Sequence, residues 1–171
     1  MDRHARLSPL GTQRLRVLDC LGGNNRWSPG YFEPDADTDI FVEFRRYVRR
    51  TAETWGGEAD PSAVSLIAAA RLLTGDLAAA QAIVDNLPGA PLAPDHGAGV
   101  CAVLPLHVLR TALPVPPALA DTTRWLAGSA EQVTLRAWLS GNGGTLQWRE
   151  ADGIYAPAGD AAAPVRSDGP A

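Results

Sequence analysis

A chain of 171 residues can bury one substantial core but not two, and 46% hydrophobic with 20% charged residues is globular composition, not that of a disordered chain. All 15 basic residues are arginine, and the 19 acids leave a formal net charge of -4. Without lysine there is no P-loop lysine, Schiff-base amine or lysine general base, and an acidic chain has no global field to draw nucleic acid.

Helical signals dominate in chain order. Ser8-Pro9 is a cap followed by a first-turn proline, and Leu10, Leu15, Leu18 and Leu21 recur at helical spacing until Gly22-Gly23. Residues 24–37 form a turn-rich loop in which Trp27, Tyr31 and Phe32 are expected to fold back on the core. Asp37 or Thr38 then caps a second helix with Phe41, Phe44, Val48 and Trp55 on one face, ended by Gly56-Gly57. Arg45, Arg46, Arg49 and Arg50 lie mostly off that face, near Glu43 and Glu53, as a solvated helix surface would carry them.

Asp60-Pro61 opens a third helix through Leu73. At Thr74-Gly75-Asp76 two continuations compete: Asp76 caps a new helix over 77–87, giving a tetratricopeptide-like hairpin, or the helix runs straight through Gly75 at about 1 kcal/mol relative to alanine. After the breaker-rich 88–94, Asp95 caps an apolar helix over 97–113 that is hydrophobic nearly all round and kinked at Pro105, a candidate for the centre of a bundle. Pro116-Pro117 opens a further helix to Leu126, and Ser129 to Gln132 is a capping box for a last helix to Leu139. Beyond Gly141-Asn142-Gly143-Gly144, residues 145–155 fit a short β-hairpin turning at Asp152-Gly153 or a single helical turn, and 157–171 is too polar and proline-rich to order.

The chemical inventory is poor. Cys20 and Cys101 lie far apart and in no metal-ligand spacing, as small core residues would. His96, Cys101 and His107 miss the i,i+4 geometry of a metal pair, and Asp35, Asp37 and Asp39 are explained by capping and the helix dipole. No metal and no cofactor is implied, and no enzyme activity is expected. The start of the chain lacks a leader-like apolar run and no stretch is long enough to span a membrane, so an intracellular protein without a transmembrane anchor is expected. A helical bundle with an apolar central helix and no reactive cluster suits the binding of an amphipathic partner helix.

Four segments, in order, resemble the Bcl-2 family of apoptosis regulators. Residues 38–55 look like the helix carrying the family's fourth homology motif. Arg71-Leu-Leu-Thr-Gly-Asp76 resembles the third motif, with its Gly-Asp pair, and Asp95-His-Gly-Ala-Gly-Val-Cys-Ala-Val103 resembles the first, at the start of the central helix. Trp138-Leu-Ser-Gly-Asn-Gly-Gly144 is similar to the second motif and is the most specific of the four. There are departures: His96 and Ala98 replace the first motif's tryptophan and arginine, leaving Arg71 or Arg110 to meet the aspartate of a partner helix. Thr74 stands where an apolar residue is usual, and only 18 residues separate Asp76 from Asp95.

The resemblance implies an all-α, Bcl-2-like bundle over 38–156, preceded by an N-terminal helix and loop over 1–37 and followed by a disordered tail over 157–171. Its function would be that of a divergent, viral-type anti-apoptotic homologue. The implied partner-helix groove is lined by Leu73, Leu77, Ile83, Val84, Leu87, Val100, Val103 and Leu104, with Gly97 and Ala98 admitting the partner backbone. The implied partners are pro-apoptotic Bcl-2 proteins, with helices of the Bax, Bak and Bim type, and a Beclin-type autophagy protein. No nucleic acid is implied, and the location is cytoplasmic, at the mitochondrial surface through partners. The alternatives are a tetratricopeptide-like adaptor or chaperone using the 66–87 hairpin to bind a peptide, and a small all-α enzyme built around Asp95, His96 and Cys101.

Overall fold

A computed structural model of the chain describes residues 7–21, 36–54, 61–92 and 98–159. Among them the protein is mostly helical, with a small antiparallel two-stranded sheet near the C-terminus. The helices are α1 (Pro9–Cys20), α2 (Ala36–Thr54), α3 (Pro61–Leu72), α4 (Ala79–Asp85), α5 (Ala98–Ala112) and α6 (Ala130–Asn142), and the strands are β1 (Leu146–Arg149) and β2 (Ile154–Pro157).

Local chemistry sets several boundaries. The Ser8 hydroxyl accepts from the Gly11 N–H at 3.0 Å ahead of Pro9, starting α1. At α6 the Ser129 hydroxyl accepts from the Gln132 N–H at 3.1 Å, and the Gln132 carboxamide oxygen accepts from the Gly128 N–H at 2.8 Å. The chain leaves α3 after Leu72 and turns at Gly75, whose φ of +95° suits glycine and whose missing Cβ would lie 3.1 Å from the Trp148 ring. Of the two continuations offered by the sequence, the helix therefore stops. Asp76 does not cap the next helix: its carboxylate takes the Arg71 Nε at 2.8 Å, and α4 begins at Ala79 without a side-chain cap.

α3 occupies the centre. Leu66, Ala68, Ala69, Ala70 and Leu72 are all buried, and the run of alanines lets α1, α2, α4 and α5 approach it from several sides. This corrects the expectation that the helix over 97–113 is central. α5 buries Leu104, Leu106, Val108 and Leu109 but turns Val100, His107 and Arg110 to solvent, because a helix with one apolar arc needs cover only on that arc.

The helix expected over 116–126 is replaced by two 3-10 turns, Pro117–Leu119 and Thr122–Arg124. Pro114, Pro116 and Pro117 remove the amides a regular helix would use, and the Asp121 carboxylate accepts from the Thr123 N–H at 3.0 Å to start the second turn. The segment is held by Trp125, fully buried, whose indole donates to the Leu119 carbonyl at 3.1 Å. Of the two options over 145–155 the β-hairpin forms, pairing Leu146 with Pro157 and Arg149 with Ile154. Pro157 thus belongs to β2, and the Ala158 N–H donates to the Thr145 carbonyl at 2.9 Å, so the ordered unit extends past the expected start of the tail. The aromatic loop residues Trp27, Tyr31 and Phe32, Trp55, and the tail over 160–171 lie outside the described residues.

Candidate functional site

α1 and α5 run antiparallel and are tied at both ends. The Gln13 carboxamide donates to the Thr111 hydroxyl at 2.8 Å at one end, and Cys20 and Cys101 are joined by a disulfide at the other, with their Cα atoms 5.4 Å apart. Between the ties lies an open cleft of about 700 Å³, within the range of ligand sites. Its α1 wall is Arg16, Asp19 and Cys20; its α5 wall is Val100, Cys101, Val103, Leu104 and His107; Thr122 closes one side. Val100 is 51% exposed, a large apolar side chain left uncovered at the mouth.

The rim is charged. Burial pushes the Asp19 carboxyl above the usual carboxylate range. His107 is held below the usual imidazole range, first by burial and then by the positive charges of Arg16 and Arg110. Neither Arg16 nor Arg110 has a carboxylate within ion-pair distance among the described residues. The cleft therefore offers an apolar floor, a donor-rich edge and a single carboxyl.

The groove expected between α3, α4 and α5 is not open. Leu73, Ile83 and Val84 are fully buried, and Leu87 and Leu104 nearly so, at 6% and 5% exposure. These five are core side chains, because α4 packs closely on α3 and α6 closes over it through Gln132, whose carboxamide donates to the Val84 carbonyl at 2.7 Å. Leu77 lines a separate shallow recess with Ala78, Gln81, Leu139, Gly143 and Gly144. Val100 and Val103 do face open space, with Leu104 at the wall, but across from α1. Gly97 lies outside the described residues, as do Asp95 and His96; Ala98 begins α5. Of the two arginines that could replace the one missing from the first motif, Arg71 is engaged with Asp76, while Arg110 stands on the exposed side of α5 near the cleft.

The disulfide corrects the expectation that the two cysteines are isolated core residues. A separation of 81 positions carries no local signal, and only the fold brings α1 and α5 together. Cys101 is accordingly not a thiol nucleophile in this state, which removes the one reactive group the enzyme alternative had among the described residues. No group of three or more His, Cys, Asp or Glu residues that could hold a metal occurs among the described residues, and no helix there is long and apolar enough to cross a membrane. No family model, curated protein or solved structure matches the chain.

Proposed function

We propose that this protein is a binding module that receives an amphipathic helical segment of a partner protein in the α1/α5 cleft. The observation that carries this is the open cleft itself, where the exposed Val100 and the partly buried Val103 form an apolar strip over a floor of buried Leu104. A partner helix with apolar residues at i, i+3 or i+4 and i+7 fits such a strip, each anchor contributing on the order of 1 to 3 kcal/mol when buried. Arg16 and Arg110 on the rim favour a partner whose polar edge carries a carboxylate. The order of the four Bcl-2-like segments makes pro-apoptotic death-motif helices the first partners to try and an anti-apoptotic role the reading they support. The burial of Leu73, Ile83, Val84 and Leu87 counts against the family's usual groove, so that role rests on the α5 strip alone.

The test is a fluorescence titration of the whole chain with labelled death-motif helices, alongside Val103→Glu and Val100→Glu. Micromolar affinity that falls about tenfold or more in the variants supports the proposal. Equal affinity in the variants, or none in the native chain, rules it out. A second reading, a tetratricopeptide-like peptide adaptor, draws on the packed α3–α4 pair and the recess beside Leu77. It predicts capture of extended peptides that is blocked by Ala78→Trp and indifferent to Val103→Glu.

A further inference from the structure

We propose that the Cys20–Cys101 disulfide is a redox lock on the α1/α5 cleft: oxidised, it holds the two walls at binding distance, and a dithiol reductant releases them. The argument begins with how α1 is attached. Its inner side is anchored on α2 and α3, but toward α5 the polar and covalent ties among the described residues are two, Gln13 to Thr111 and Cys20 to Cys101. The cleft opens between these ties, and the bond closes its outer end, joining the last residue of α1 to the opening turns of α5. Cutting it leaves a pivot at Gln13–Thr111, with Asp19 and Val100 free to separate.

The bond is also reachable. Both cysteines are partly exposed and both line the open cleft, so an attacking thiolate needs no unfolding to reach a sulfur. Attack at the Cys20 Sγ is favoured, because Cys101 is the better leaving group: it lies near the start of α5, where the helix dipole stabilises a departing thiolate. One thiolate of the dithiol bonds to the Cys20 Sγ while the Sγ–Sγ pair leaves on Cys101, which takes a proton from water. The second thiolate then attacks the reductant's own sulfur in the mixed disulfide and expels Cys20 as a thiolate, which is protonated in turn. The dithiol ends as a cyclic disulfide, and two electrons have passed to the protein.

The control of partner binding rests on the proposed cleft function; the lock does not. Uniformly labelled protein is compared by NMR before and after reduction with dithiothreitol, with thiol alkylation reporting the state of the bond, and Cys20→Ser/Cys101→Ser provides a permanently open form. The lock predicts no alkylation before reduction and labelling of both cysteines after it. Backbone order parameters over 16–20 and 98–104 are expected to fall from about 0.85 to below about 0.6, with α3 and the β-hairpin unchanged, and the double variant should match the reduced protein. Thiols that label without reduction, order parameters that stay constant, or a collapse of the whole spectrum would each overturn it. In the same samples, helix binding about tenfold weaker after reduction ties the lock to function. If the helix binds neither form while α1 and α5 still loosen, the cleft function fails and the lock stands.

Discussion

α1 is held on one side by a buried arginine and on the other by a covalent bond, and the two attachments work differently. On the inner side Arg14, almost fully buried, donates from Nε and Nη2 to the Leu73 carbonyl at 3.3 and 2.9 Å and from Nη2 to Glu150 at 2.8 Å, with its guanidinium 4.1 Å from the Phe41 ring centroid. Tyr155 adds a hydroxyl donated to the Leu72 carbonyl at 2.7 Å. Arg14 serves the Leu73 carbonyl just past the end of α3, and Tyr155 joins the Gly75 N–H on the Leu72 carbonyl, so this side is specified by a network of buried polar atoms with defined mates. Among the described residues the α5 side has an apolar opening, one hydrogen bond and one disulfide. Networks of the first kind build a rigid core; the second arrangement leaves a surface that can be filled or released.

Breaking the covalent side should have the largest effect on global stability. Closing a loop of 81 positions removes denatured-state entropy worth about 4.5 kcal/mol in the loop-closure limit, so reduction or Cys20→Ser/Cys101→Ser should lower the melting temperature by on the order of 10 °C by calorimetry. A change below about 2 °C would show that the bond contributes little to folding. Breaking the network side comes next. Arg14→Ala leaves the Leu73 carbonyl buried without its donor and opens space beside Phe41, an expected loss of about 3 kcal/mol in urea denaturation. Tyr155→Phe keeps the ring and its contact with Trp148, 4.9 Å between centroids, and removes one of the two donors to the Leu72 carbonyl, leaving it the Gly75 N–H at 3.2 Å, for about 1 kcal/mol. If Arg14→Ala costs no more than Tyr155→Phe, the guanidinium is not the centre of the network.

The smallest effect sharpens the comparison through pH. Burial pushes the Glu150 carboxyl up, but the Trp148 and Arg14 hydrogen bonds and the charges of Arg14 and Arg45 outweigh it, and it sits below its ordinary value of 4.5. A carboxyl held low in the folded state contributes stability above the unfolded value that is lost as pH falls through the folded one. Because Glu150 is about half exposed, that contribution is discounted to less than about 1 kcal/mol. Glu150→Gln should therefore lower stability at pH 7 by less than about 1 kcal/mol and flatten its fall below pH 4.5, so that the variant and the native chain converge in acid. His107, held low on the other side of α1, adds a slope of the same sign as pH falls below 6.5, and His107→Gln should remove that portion alone.

Much of the fold was legible because its signals are local. Ser8-Pro9 and the Ser129 to Gln132 box each act within a few residues, so the starts of α1 and α6 follow from the chain itself, whereas Gly75 allowed either a stop or a continuous helix, and the stop is seen only where the Trp148 ring packs against it. The candidate site was less legible. The sequence pairs Val100, Val103 and Leu104 with a wall on α4, whereas in the fold Val100 and Val103 face a cleft whose other wall is α1 and Leu104 is buried at its floor. Arg16 and Asp19 carried no signal beyond lying on a helix, and Cys20 and Cys101 have a spacing that means nothing until the helices meet.

What the sequence determined alone is the mostly helical class, several helix ends and the polar inventory, since capping, proline and glycine effects and net charge need no partner far along the chain. The tertiary structure decided which helix lies at the centre, which leucines are core and which valines are exposed, and that the two cysteines pair. Those outcomes depend on how apolar arcs on different helices are matched, and Ala68, Ala69 and Ala70 gave α3 the centre by being small, a property that has consequences only once other helices pack against it.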